Sequence, residues 1–181
     1  TYYSSDADDR QYNVVEPPLG LLALLTFINH KLAGKVKGKI IKSLVDFDSN
    51  EELHKIIKDF KPDLIGFRAM TFYSGFFHEG VAYLRDMGIK TPIIAGGPYP
   101  TASYHDILKD KNIDVCAIAE GEFTLLEFIN AMIENGKQLP NFKALKKIKG
   151  IAFSHENNTN ASEGIASIPV SGIIPETINK V

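Results

Sequence analysis

Hydrophobic and polar positions along the chain fall into two alternating patterns. Segments of strand length come first: 39–46 is strand-like, and Leu64-Ile65-Gly66-Phe67, residues 92–95 and residues 114–118 are short apolar runs suited to burial on both faces. Between them the period changes to that of a helix. Ser49 and Glu52 have capping-box spacing ahead of Leu53, Ile56, Ile57 and Phe60, which predicts an amphipathic helix stopped by Pro62. Tyr73, Phe76, Phe77, Val81 and Leu84 predict a second helix, with Gly88 at its C-terminal cap. A short helix is expected around residues 103–109. Thr124 and Glu127 repeat the capping-box spacing, and Leu125, Leu126, Phe128, Ile129, Met132 and Ile133 carry a helix to Gly136. This alternation predicts an α/β fold, a doubly wound parallel sheet with strands near 40–46, 63–67, 92–96 and 114–118 and helices on both faces.

The flanks depart from the alternation. Residues 1–16 are polar and read as an arm or loop. Pro17-Pro18 opens the leucine-rich run 19–32, expected to be a deeply packed helix. The lysines within 143–149 read as a solvated face, residues 150–154 and 164–168 as two arms of a β-hairpin, and residues 170–181 as a tail or the start of a linker. The domain proper is thus expected over 17–155, with 156–181 as hairpin arm and linker.

Composition narrows the function classes. With 181 residues, 44% hydrophobic and 23% charged, the chain suits one soluble globular domain, and a net charge of -2 gives no basic footprint for nucleic acid or membrane. No run approaches a membrane span or a signal sequence, so the cytosol is the default compartment. The single cysteine, Cys116, excludes an internal disulfide and a clustered-thiolate site, and is expected to fill the core. Five histidines at 30, 54, 78, 105 and 155 show no metal-ligand spacing. Two glycosylation-like tripeptides at Asn157 and Asn160 read as chance matches.

The chemistry is expected where parallel strands end. Four segments fall there: Asp46-Phe47-Asp48, Arg68-Ala69-Met70-Thr71, Gly96-Gly97-Pro98-Tyr99 and Glu120-Gly121-Glu122. The Gly96-Gly97 pair removes two Cβ atoms where a strand ends, so backbone can lie against a bulky ligand. Pro98 and Pro100 predict a stiff loop after it rather than a helix. The same pattern also fits a tight turn with no ligand. Arg68 suits either a surface ion pair or ligand contact, and Glu120 and Glu122 suit a helix N-terminus regardless of function. No dinucleotide fingerprint, P-loop or nucleophile elbow is present.

Taken together, Pro-Pro-Leu-Gly-Leu-Leu (17–22), Pro-Asp-Leu-Ile-Gly-Phe-x-x-Met-Thr (62–71), Ile-Ala-Gly-Gly-Pro-Tyr-Pro-Thr (94–101), Glu-Gly-Glu-x-Thr (120–124) and Ile-Lys-Gly-Ile-Ala-Phe (148–153) resemble the N-terminal cobalamin-binding domain of B12-dependent radical SAM proteins. The resemblance implies a flavodoxin-like (Rossmann-like) domain holding cobalamin across the carboxyl edge of its sheet. The corrinoid's nucleotide tail would pass between Arg68, Ala69, Met70 and Thr71 on one side and Gly96, Gly97, Pro98 and Tyr99 on the other, with Glu120, Gly121 and Glu122 at the far wall. It also implies a radical SAM barrel as partner, which would carry S-adenosylmethionine, a 4Fe-4S cluster and the small-molecule substrate. The cluster needs a cysteine triad that this chain does not have. Alone, the chain is expected to catalyse nothing.

Three departures from the family pattern stand out. Arg68 replaces a common serine, and is placed either to crowd the slot or to pair with a phosphate. The Asp-x-His-x-x-Gly motif that supplies a cobalt-ligating histidine in other B12 domains is absent, so no histidine on cobalt is expected. The family's hydrophobic first strand has no convincing counterpart in residues 1–16. Two alternatives stay open: a docking domain of the same fold that has lost its ligand, and, ranked lower, a phosphorylation receiver, which needs an aspartate where Phe67-Arg68 stands.

Overall fold

The structure, a computed structural model, describes residues 17–154 and the backbone of 165–167. The expectations for the arm 1–16, the tail 170–181, His155 and the two tripeptides lie outside the described residues. The elements are α1 (Leu19–Lys31), α2 (Asn50–Phe60), β1 (Ile65–Arg68), a 3-10 turn (Thr71–Tyr73), α3 (Ser74–Asp86), β2 (Ile93–Gly96), α4 (Pro98–Ile107), β3 (Val115–Ala117), α5 (Glu122–Glu134), α6 (Phe142–Leu145), β4 (Ile151–Ser154) and β5 (Ile165–Ser167).

The sheet runs in the order β1-β2-β3-β4-β5. β1 and β2 pair in parallel, as do β2 and β3, while β4 is antiparallel to both β3 and β5. The predicted hairpin is therefore present, and its first arm extends the main sheet. Apolar residues alternate between the two faces. Ile93, Ala95, Cys116 and Ala152 join a core with Leu53 and Ile57 of α2, Phe77, Val81 and Leu84 of α3 and Ile107 of α4. Ile94, Val115, Ala117, Ile151 and Phe153 join the opposite core with Phe128 and Met132 of α5 and Leu145 of α6. Continuous apolar runs are what such strands require, since every side chain lands in one core or the other.

Helix boundaries follow local chemistry where neighbours permit. Ser49 Oγ accepts from Glu52 N at 3.2 Å, and Glu52 Oε2 accepts from Asp48 N at 2.8 Å, closing the box one residue earlier than the usual reciprocal bond. Lys61, with φ 50, ends α2 ahead of Pro62. Gly88 has φ +84 and its amide donates to Arg85 O, terminating α3 as expected. The lysines 143, 146, 147 and 149 are exposed.

Several expectations are corrected. Residues 39–46 form no strand: apart from an isolated bridge between Ser43 and Phe47, they coil into a turn with Leu44 at φ 63 and Lys42 N donating to Asp46 Oδ2. A strand needs a partner, and this segment has none among the described residues. Asp46-Phe47-Asp48 is consequently not a strand end, and Phe47 is buried in the core instead. β1 is the edge of the described sheet, so Gly66 is exposed rather than buried on both faces. The described strands run in sequence order, with no reversal and hence no switch point among them. Nor is α1 deeply packed: it lies along α5, with Ile28 its only buried residue and Leu19 69% exposed.

Candidate functional site

The carboxyl ends of β1, β2 and β3 share one edge because the three strands are parallel. That edge carries Arg68–Thr71, Gly96–Tyr99 and Glu120–Glu122, the three segments expected to form the site. The first two are physically joined. Ala69 N donates to Gly96 O at 3.0 Å and Tyr99 N donates to Ala69 O at 3.2 Å, so the start of α4 is laced to the loop after β1. Gly97 makes the close approach possible. Its φ of 100 and ψ of -170 are accessible essentially to glycine alone, and a Cβ there would sit 3.1 Å from Ala69 O and 3.1 Å from Arg68 Cγ. Gly96 is different: a Cβ would meet only Ala117 Cβ, at 3.8 Å. The turn thus presents bare backbone along the rim.

The third segment is held by side chains from elsewhere. Thr101 Oγ1 accepts from Ala119 N at 3.0 Å, tying α4 to the loop after β3, where Ala119 itself has φ 62. Thr124 Oγ1 donates to Lys149 O at 2.8 Å and is buried. Glu127 Oε2 accepts from Lys149 N at 3.4 Å. Thr124 and Glu127 are therefore not a capping box: α5 starts two residues earlier, at Glu122 after the cap Gly121, and both side chains grip residue 149. Glu122 is the acidic first residue of α5, where it favours the helix whatever else it does. Glu120 is exposed, and Gly121 faces Leu24 of α1.

One further expectation changes. The residues after Gly97 form a helix, α4, rather than a loop, with Pro98 and Pro100 in its first turn and a kink at Ser103. Amides of a first turn have no helical partner, so prolines cost nothing there. His105, within the helix expected around 103–109, falls in the last turn of α4; it is exposed and stacked beside Tyr104 at 4.0 Å between centroids.

Around the rim lies an apolar surface. Met70, Phe72 and Phe76 follow β1, Phe123 stands in the first turn of α5, and Leu19 and Leu22 open α1; all are exposed, Phe72 to 94%. Arg68 crosses between them: its Cγ is next to Gly97 and its Nε is 3.7 Å from where a Cβ of Gly20 would be. It has no hydrogen-bond or ion-pair partner among the described residues. Tyr99 turns away from the rim, its phenol 3.1 Å from His78 Nε2. His78 and Thr101 escaped the sequence reading, because their partners lie 21 and 18 residues away.

The opposite, amino edge is structural. Arg85 donates to Asn112 O, Ile89 O, Thr91 O and Asp114 Oδ2, and Asp114 also accepts from Ile93 N. Burial pushes the Asp114 carboxyl up despite the opposing pull of the Ile93 amide and Arg85. A cavity of about 300 Å³ beside Asp114, Leu139, Pro140 and Phe153 lies at this edge. Among the described residues no group of histidine, cysteine and carboxylate side chains could hold a metal ion, and no helix is long and apolar enough to cross a membrane.

A mostly parallel α/β sheet with helices on both faces defines a Rossmann-like fold. The family model of the B12 binding domain matches residues 12–129, well over half of the chain, and the chain belongs to that family. It is 25% identical over 170 residues to an uncharacterized methyltransferase of Pyrococcus horikoshii, covering 92% of this chain and 36% of that protein. Two solved structures share the fold, each with a TM-score of 0.68. One is the radical S-adenosylmethionine methyltransferase TsrM from Kitasatospora setae with cobalamin and a 4Fe-4S cluster bound, 18% identical, covering 88% of this chain and 28% of that one. The other is the cobalamin-dependent S-adenosylmethionine radical enzyme OxsB with aqua-cobalamin and S-adenosylmethionine bound, 15% identical, covering 91% and 21%. The chain spans about a third or less of each of these proteins.

Proposed function

We propose that this domain binds cobalamin across the carboxyl edge of its sheet, as the corrinoid-carrying part of a larger B12-dependent radical SAM enzyme. The observation that carries the reading is the Gly96-Gly97 turn, where backbone without side chains is laced to Ala69 on the rim of a family member. Ala69, Met70 and Thr71 would hold one side of the nucleotide tail and Gly96, Gly97 and Pro98 the other, with Glu120, Gly121 and Glu122 beyond. Of the residues expected there, Tyr99 would contribute through its backbone, since its phenol is engaged by His78. The exposed Met70, Phe72 and Phe123 suit the apolar flank of a macrocycle. When bound, the group would supply a cobalt centre for methyl transfer or radical chemistry. The barrel, S-adenosylmethionine, the 4Fe-4S cluster and the substrate belong, on this reading, to a separate catalytic part.

One observation favours a second reading. The Arg68 side chain lies where the tail would pass, as a docking domain without ligand would allow. The same guanidinium, without a partner among the described residues, is also suited to the tail's phosphate once it swings aside. Titration with hydroxocobalamin, followed by visible absorption, separates the two. The cobalamin reading predicts saturable binding that weakens by roughly tenfold or more in Gly97→Val, through backbone strain and overpacking. It also predicts a bound spectrum unchanged in His105→Ala, since no histidine is expected on cobalt. Absence of binding selects the docking domain. Unchanged affinity in Gly97→Val discards the tail slot, and an altered spectrum in His105→Ala puts an imidazole on the metal.

A further inference from the structure

His78 stands on α3, outside every segment assigned to the site, yet it joins a chain of polar contacts that ends there. Asp110, after α4, accepts from Asn112 N at 3.0 Å through Oδ1 and lies 2.7 Å from His78 Nδ1 through Oδ2. His78 Nε2 lies 3.1 Å from the Tyr99 hydroxyl. An ionised carboxylate only accepts, so Nδ1 carries the proton; in the neutral imidazole Nε2 then offers a lone pair, and the phenol donates to it. Tyr99 is well suited to remain the donor, because burial, with the nearby Asp106, Cys116 and Asp110 adding to it, holds its pKa above the ordinary value. The rings of Phe77, His78 and Tyr99 pack edge-on, fixing the imidazole between its partners. At its other end Tyr99 gives its amide to Ala69 O, and Thr101 N closes on Gly97 O at 3.0 Å.

We propose that His78, itself oriented by Asp110, acts as a positioning residue for the ligand slot, holding Tyr99 so that the Gly97–Thr101 turn keeps a fixed separation from the Ala69–Thr71 loop. The chain touches no ligand; it sets the place of the backbone that does. The functional half of the proposal rests on the cobalamin reading, whereas the pinning of the turn does not.

The test therefore has two arms, run on wild type, Tyr99→Phe, His78→Ala and His78→Gln. In the first, amide hydrogen exchange of Tyr99 and Thr101 is measured without ligand. It is expected to speed up in Tyr99→Phe and His78→Ala, and to stay near wild type in Gln, whose Oε1 replaces Nε2 as acceptor. In the second, hydroxocobalamin affinity is expected to fall by about fivefold in Tyr99→Phe and His78→Ala, the loss of one hydrogen bond. It should recover in His78→Gln. The double variant is expected to lose no more than either single one, because both break the same contact. Unchanged exchange overturns the pinning. Faster exchange with unchanged affinity overturns the link to the slot, and so does a fall in affinity that Gln does not rescue. If wild type fails to bind hydroxocobalamin, the cobalamin reading and this link both fall, and the exchange arm alone decides the pinning.

Discussion

At Gly97 the backbone occupies a region essentially closed to residues with a Cβ, and the space a Cβ would need is taken by Ala69 O and Arg68 Cγ. Gly96 has neither constraint. Gly97→Ala is thus expected to cost about 1–3 kcal/mol in urea unfolding, and Gly96→Ala less than about 1 kcal/mol. Equal costs would remove the special role of the second glycine. The pair Gly-Gly after an apolar run was legible in the sequence as a sharp turn at a strand end. Which glycine bears the constraint was not, because it depends on how closely the loop after β1 approaches. Cys116 was legible too. It is fully buried, and burial pushes its thiol up to about 12. Buried and held in its neutral thiol form, it is expected to react with an aromatic disulfide reagent only after denaturation. Rapid labelling of the native protein would contradict its place in the core.

Among the elements, two identical spacings have opposite fates. Ser49 and Glu52 cap α2, while Thr124 and Glu127, equally spaced, lie inside α5 and hold residue 149. Local chemistry dictates the first, and a partner 25 residues away takes the second. The same contest decides α4, where first-turn prolines are compatible with a helix that their presence seemed to exclude. Thr124→Val keeps the shape but leaves the Lys149 carbonyl without its donor. A loss of about 1–2 kcal/mol in thermal or urea unfolding is expected, with Thr124→Ser close to wild type. A neutral Thr124→Val would mean that the α5 start is fixed by packing alone.

For the whole molecule, the alternation of apolar runs with helical periods revealed β1, β2, β3 and their covering helices, because β2 and β3 are buried on both faces and such runs have one outcome. It misread residues 39–46, which join no ladder among the described residues, and α1, whose leucines are not matched by burial on all sides. The three candidate loops came together on one edge because strand polarity, once parallel, leaves no other arrangement. Cobalamin binding is proposed along that edge. Its most direct test is the map of backbone amide NMR shifts on adding hydroxocobalamin to the isotopically labelled protein. The largest changes are predicted at residues 68–71, 96–99 and 119–122. Changes centred instead on the amino-edge cavity beside Asp114 and Leu139, or spread without relation to the sheet, would contradict it.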